Sequence, residues 1–226
     1  MDLEPVTGTD VKTVYQLETE LSRRVRTTEI ADAIDRTGAS VSHMIQKLDD
    51  RGLVDYTEYK GVTLTDTGET AALTLVRKHR LVETVLTEQL GYPWADVHDE
   101  ADRLEHHSSD EFADRLDAFL GYPRTDSHGD PIPDAELSLP AGPSKTGLDD
   151  CGTAETLVIE TVPHRQTDVR EYLFENDIGP GSTIVVDGVA PVGLVTVTDE
   201  NVTIPDHIAR QIKLRQHGSP TERAEN

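Results

Sequence analysis

The sequence predicts a mainly α protein with a β-rich end: an N-terminal winged helix-turn-helix, a helical middle and a small C-terminal β-barrel. Three observations predict it. Apolar residues recur at three- and four-residue steps as far as residue 120. Two short β-type runs interrupt them near residue 59. Past a stretch rich in Pro, Gly and Ser, the chain turns to short β-branched runs.

Residues 10–22 space Val11, Val14, Leu17 and Leu21 for a first helix. Thr27 or Thr28 caps a second, short helix carrying Ile30, Ala33 and Ile34. Thr37-Gly38 makes a turn. A third helix then runs from Ala39 to Asp50, with Val41, Met44, Ile45 and Leu48 inward and Gly52 as its stop. LVDYTEYKGVTLT reads as two strands around Tyr59-Lys60-Gly61. This order is that of a winged helix-turn-helix over 1–66. Helices over 67–89, 94–107 and 109–120 form a second domain at 67–136. LSLPAGPSKTGLDDCG (137–152) reads as a linker. TLVIETV, STIVVDGV and GLVTVTDENVTI supply a small barrel at 153–216. HGSPTERAEN (217–226) is expected to be a disordered tail.

Forty-three acids against twenty-one bases leave a formal charge of −22, and only six of those bases are Lys. Such a balance keeps a protein soluble in concentrated salt, so a halophilic, haloarchaeal-type source is expected. It does not exclude nucleic acid. Salt shrinks the counterion-release contribution, and a weakly basic local face then suffices. Cys151 is alone, which excludes a disulfide framework within the chain. No apolar run approaches the length of a membrane span, so a cytoplasmic protein without a membrane partner is expected.

HDEADRLEHH (98–107) holds three histidines and four acids. On a helix turning about 100° per residue, His98, Asp102, Glu105 and His106 share one face. That face borders the apolar stripe of Trp94, Val97, Ala101 and Leu104, while Asp99, Arg103 and His107 point elsewhere. One helix earlier, Ala72, Val76, His79, Glu83, Leu86 and Leu90 form a single stripe, so His79 and Glu83 interrupt a line of apolar side chains. A carboxylate buried there needs a partner. Either the pair is structural, or the two helices each carry half of a divalent-cation site. Imidazole and carboxylate together suit Mn(II), Fe(II), Co(II) or Zn(II).

These residues resemble the diphtheria-toxin-repressor family of metal-dependent transcriptional regulators. The resemblance rests on Lys78-His79-Arg80-Leu81, Val97-His98-Asp99-Glu100-Ala101, Leu104-Glu105-His106 and Gly129-Asp130-Pro131-Ile132-Pro133. It rests also on IADAIDRTGASVSHMIQKLDDRGLV followed by GVTLTDTG. It covers residues 9–135 closely. The β-rich end is similar, more loosely, to the family's src-homology-3-like barrel, also seen in ferrous-transport accessory proteins.

The resemblance implies a helical domain for metal binding and dimerisation, and two metal sites per subunit holding Mn(II) or Fe(II). His79, Glu83 and His98 match the ancillary site, which the barrel completes in some members. Here the matching segment offers Glu160 and His164. Glu105 and His106 match the primary site. Asp102 stands where iron-responsive members carry Cys and manganese-responsive members often carry Glu, which favours Mn(II). The N-terminal ligand aligns with Thr9, with Asp10 as the alternative one residue on.

For DNA, the recognition helix would present Thr37, Ala39, Ser40, Ser42 and His43 to base edges and phosphates. Arg23, Arg24, Arg26, Arg36, Lys47 and Lys60 are the phosphate candidates, Lys60 at the wing tip. The expected function is a homodimeric, metal-activated repressor of metal-uptake genes that binds a double-stranded operator. The alternative is a winged-helix regulator controlled by a non-metal effector or by protein partners. The chain carries neither HExxH nor a nucleophile motif, so it is not expected to be an enzyme.

Overall fold

A computed structural model describes residues 4–140, 146–147, 156–163, 166–190, 194–198 and 202–216. The chain forms two compact units. The first comprises Met1–Val82, Asp102–Phe119 and Pro133–Ser138; the second comprises Glu83–Ala101, Leu120–Ile132 and Leu139–Asn226.

The first unit opens with α1 (Pro5–Leu21), α2 (Thr27–Ala33) and α3 (Gly38–Asp50), then β1 (Val54–Thr57) and β2 (Gly61–Leu64). Helix α1 begins earlier than apolar spacing predicts. Pro5 occupies its first turn, where a missing N–H is harmless. The Thr9 and Thr13 hydroxyls donate to carbonyls one turn back, at 3.1 and 3.0 Å. Ser22, in the left-handed region at φ 53°, ends the helix by donating its N–H to the Glu18 carbonyl. Thr37 caps α3 by accepting from the Ser40 amide at 3.3 Å. The wing pairs antiparallel, Val54 opposite Leu64 and Thr57 opposite Gly61. Glu18 of α1 holds it by accepting from the Leu64 amide at 3.0 Å and from the Thr63 hydroxyl. The core of this unit joins Val11, Val14 and Leu17 of α1 to Ile30, Val41, Ile45, Leu48, Leu53 and Val62.

Helix α4 (Asp66–Glu88) is one continuous helix. Helix α5 (Val97–Glu105) starts later than the predicted Trp94, because Pro93-Trp94-Ala95-Asp96 turns instead, with the Asp96 amide donating to the Pro93 carbonyl. Helix α6 runs Asp110–Phe119. Arg77 and Lys78 of α4 pair with Asp114, Asp117 and Asp110 on it at 2.7–2.9 Å.

The second unit carries a six-stranded antiparallel sheet: β3 (Thr146–Gly147), β4 (Thr156–Thr161), β5 (Thr183–Ala190), β6 (Leu194–Thr198), β7 (Val202–Pro205) and β8 (Lys213–Gln216). Their spatial order is β3-β8-β4-β5-β6-β7. β3 falls inside the stretch expected to be a linker, and it pairs Thr146 with Leu214. Two helices, α7 (Thr167–Glu175) and α8 (Asp206–Ala209), join the strands. α7 was not predicted; Val169 and Leu173 bury its apolar edge in a core with Ile159, Ile204, Ile212 and Leu214. The expected tail and most of the linker lie outside the described residues.

Candidate metal centres and nucleic-acid interface

In the first unit, α1, α4 and α5 converge on an acidic cluster in which His79 and Glu105 are buried and Asp102 is exposed. Its ligand-type atoms come from His79, Asp102 and Glu105 and lie within 4.8 Å of one another. Glu105 and His79 are 1% and 5% exposed, so this is not a solvated charged face. The two oxygens of Glu105 look different ways. Oε2 lies 2.7 Å from His79 Nδ1, and Oε1 lies 3.3 Å from His106 Nε2. His79 Nδ1 is also 3.2 Å from Asp102 Oδ1. Thr9 closes the group from α1, its hydroxyl 3.0 Å from His106 Nε2. Burial pushes the His106 pKa down, outweighing the upward pull of Glu105, and the nearby Lys12 ammonium adds to the fall.

Of the two N-terminal alternatives, Thr9 is the one beside His106. The Asp10 carboxylate pairs with Arg36 at 3.4 Å instead, and burial raises its pKa against the opposing pull of Arg36 and Lys47. The register follows from the core. Val11 and Val14 are fully buried, so α1 cannot rotate by one residue without withdrawing both. Gly8 helps α1 approach. A Cβ there would stand 2.8 Å from Leu75 Cδ1 and 3.1 Å from His106 Cε1. Sequence reasoning missed Lys12, which projects into the cluster. Its Nζ reaches Asp102 Oδ1 at 2.9 Å, Glu105 Oε2 at 2.6 Å and His79 Nδ1 at 3.1 Å.

In the second unit a different group forms around Glu83. His98 Nδ1 lies 3.1 Å from Glu83 Oε1, and His128 Nδ1 lies 3.4 Å from Oε2. Glu83, Asp126 and His128, all buried, make a second set of three ligand-type groups. Neither ring nitrogen of the fully buried His128 has a well-aligned hydrogen-bond partner. Burial lowers the His128 pKa, yet the hydrogen-bonding and charge of Glu83, with Asp126 and Asp130, raise it further and leave it above the ordinary value.

The loop carrying His128 is tightly built. Asp126 Oδ1 accepts from the His128 and Asp130 amides, both at 2.9 Å. The Val162 amide donates to the His128 carbonyl at 3.0 Å. Gly129, at φ 84°, lies so close to β4 that a Cβ would fall 1.7 Å from the Glu160 carbonyl oxygen. The Trp94 ring meets His128 edge-on at 5.8 Å. Sequence reasoning missed Asp126 and His128, although the adjacent GDPIP motif marked the loop. Glu160 is partly buried on β4; His164 lies outside the described residues.

On the DNA-reading side, Thr37, Ala39, Ser40, Ser42, His43 and Lys47 are all exposed on and before α3. The Ser42 hydroxyl donates back to the Gly38 carbonyl at 2.8 Å, so toward a ligand it offers an acceptor. Tyr59, at φ 63° and 96% exposed, tips the wing beside exposed Lys60. Four of the six basic candidates are engaged within the protein: beside the Arg36–Asp10 pair, Lys47 lies 3.6 Å from Glu4. Arg23 makes a two-pronged contact with Glu29 at 2.6 and 3.1 Å, and Arg24 reaches the Asp55 carbonyl at 2.7 Å and its carboxylate. Arg26 is exposed, and its amide donates to Glu29 at 2.8 Å.

A winged helix-turn-helix joined to buried clusters of imidazole and carboxylate defines a metal-responsive DNA-binding regulator. Residues 2–62 match the N-terminal DNA-binding domain of iron-dependent repressors, residues 65–134 their metal-binding and dimerisation domain, and residues 146–216 the FeoA domain. The chain is 32% identical to the iron-dependent repressor IdeR of Mycobacterium tuberculosis (strain ATCC 25618 / H37Rv), covering 95% of this chain and 99% of that one. It is 31% identical to the diphtheria toxin repressor of Corynebacterium diphtheriae, over the same shares. Among solved structures, a manganese-dependent transcriptional repressor complexed with manganese superposes with a TM-score of 0.81 at 33% identity, covering 93% of this chain and 100% of that one. The chain belongs to the iron-dependent repressor family, which includes the diphtheria toxin repressor. It is a transcriptional repressor of the iron- or manganese-dependent type and not an enzyme. No helix among the described residues is long and apolar enough to cross a membrane.

Proposed function

We propose that this protein is a cytoplasmic homodimer that binds a double-stranded operator when Mn(II) or Fe(II) is plentiful, and so represses genes for metal uptake. Domain limits of 1–66, 67–136 and 153–216 divide DNA reading, metal binding with dimerisation, and the accessory barrel. Each subunit has two metal sites. The primary site takes Asp102, Glu105, His106 and Thr9, with His79 at its edge. The second takes Glu83, His98, Asp126 and His128, with Glu160 and His164 as further donors from the barrel. His79, which the resemblance assigns to the second set, precedes Glu83 by one turn of α4.

The donors fit such ions: both clusters offer only oxygen and nitrogen, with no thiolate or thioether. Asp102 in place of Cys favours Mn(II). A bound divalent cation would supply charge that cancels the carboxylates of Asp102 and Glu105. Thr9 and His106 then hold the start of α1 against the end of α5, and α1 carries the helix-turn-helix core through Val11 and Val14. In a dimer this restraint would space two recognition helices for successive major grooves about 34 Å apart. Exposed Leu104, Phe112 and Phe119 in the first unit offer apolar area to a second copy.

The observation that carries this reading is the convergence of α1 and α5 side chains on one acidic cluster around the buried Glu105. It is tested by measuring operator binding at high salt with Mn(II), with Fe(II) under anaerobic conditions, and with chelator. Metal is expected to tighten binding; equal affinity in all three conditions overturns the reading.

A further inference from the structure

We propose that Lys12 is an internal cation that competes with the activating metal, so that metal must displace its ammonium before the primary site can fill. The inference rests on the primary site proposed above.

The three groups that gather there as ligand-type donors, His79, Asp102 and Glu105, are the three that surround Lys12 Nζ. The ammonium contacts His79 Nδ1, Asp102 Oδ1 and Glu105 Oε2 at 3.1, 2.9 and 2.6 Å. An ammonium has three donors, and here there is one for each contact. His79 Nδ1 can accept from Lys12 or donate to Glu105 Oε2, 2.7 Å away, but not both. Several polar atoms therefore crowd around one cationic centre.

Charge points the same way. Glu105 is almost fully buried, and without a cation its carboxylate would be costly to keep there. Lys12 supplies one positive charge against the two carboxylates. A divalent ion would balance both, and Lys12 beside it would then be repelled. An exit exists. The Asp102 side chain is 48% exposed, so the ammonium can swing past it into water while the flexible stem stays over apolar surface. Thr9, His106 and Glu105 Oε1 form their own chain of contacts, at 3.0 and 3.3 Å, and would meet the incoming ion there. Lys12 thus holds the cluster together in metal-poor conditions and raises the metal concentration at which the repressor engages.

The test titrates Mn(II) into the full-length wild type, Lys12→Gln, Lys12→Met and Glu105→Ala, following heat and the electron paramagnetic resonance of free Mn(II). Both Lys12 variants should bind roughly tenfold or more tightly at the site that Glu105→Ala removes. Their Mn(II)-induced rise in Tm should exceed that of the wild type. Unchanged or weaker binding would mean that Lys12 supports the ligands, which overturns the proposal. If Glu105→Ala removes no Mn(II) binding from the wild type, it is the primary-site reading that fails. A measurement on the wild type alone covers a variant that does not fold. Labelling of Lys12 by an amine-reactive reagent, read by mass spectrometry, should rise when Mn(II) is added; continued protection of Lys12 in Mn(II)-loaded protein refutes displacement.

Discussion

The two clusters of imidazole and carboxylate balance charge in different ways. In the first unit two carboxylates, Asp102 and Glu105, meet one ammonium and flanking imidazoles. In the second, two imidazoles, His98 and His128, close on one carboxylate, Glu83, with Asp126 in the same group. Each cluster holds two carboxylates; in the first an ammonium answers them, and in the second only imidazoles do. On the proposed reading the first cluster, which joins α1 to the end of α5, carries the response to metal, and the second holds its loop in place.

Truncating the first cluster is the strongest challenge to that contrast. Glu105→Ala or His106→Ala should abolish metal-dependent operator binding, exceeding the roughly 100-fold loss expected from removing an outer-shell partner. His98→Ala should cost operator binding about tenfold or less. Equal effects at the two sites, measured by fluorescence anisotropy, would erase the distinction.

Next in size is Gly129→Ala. It sets a Cβ against the β4 backbone at a φ that side chains avoid, so it should destabilise the chain by about 2–4 kcal/mol in thermal melts. One metal per subunit should be lost while the operator response to Mn(II) survives. Gly8→Ala probes the first cluster more gently. The new methyl presses on Leu75 and His106, and calorimetry should find Mn(II) affinity down several-fold. Stability should change by only about 1 kcal/mol, because Ala favours the helix.

The smallest effect belongs to an exposed pair used as a control. The Arg23 guanidinium, with the Arg26 amide, holds Glu29 down at about 2 from an ordinary value near 4.5. A depressed carboxylate stabilises fully above its unfolded value and loses that contribution as pH falls through the folded one. Glu29→Gln should therefore be slightly less stable than the wild type above about pH 4.5, with the gap closing toward about pH 2. A gap that stays constant down to pH 2 would show that the pair acts through shape and not charge.

Periodicity exposed most of the scaffold, because helices that bury one face must repeat apolar residues at three and four. It also exposed His79 and Glu83, since each broke an apolar stripe. Lys12 was hidden for the converse reason. No pattern on α1 singles it out, and only the approach of α5 puts carboxylates around it. Asp126 and His128 sit in an irregular loop where no period exists to violate, and short, charged α7 gave little apolar signal. The choice between Thr9 and Asp10 needed tertiary structure, because the packing of Val11 and Val14 sets the rotation of α1.

That rotation separates two duties. Thr9 and Lys12, nearly one turn apart, face the acidic cluster; Asp10, between them in sequence, pairs with Arg36 just before the recognition helix. If the proposed roles of Thr9 and Lys12 hold, substitutions at positions 9 and 12 reset the metal concentration at which the switch trips while leaving the DNA-reading residues untouched. Set point and readout are separately tunable, so a lineage facing a new metal supply could recalibrate this regulator without relearning its operators.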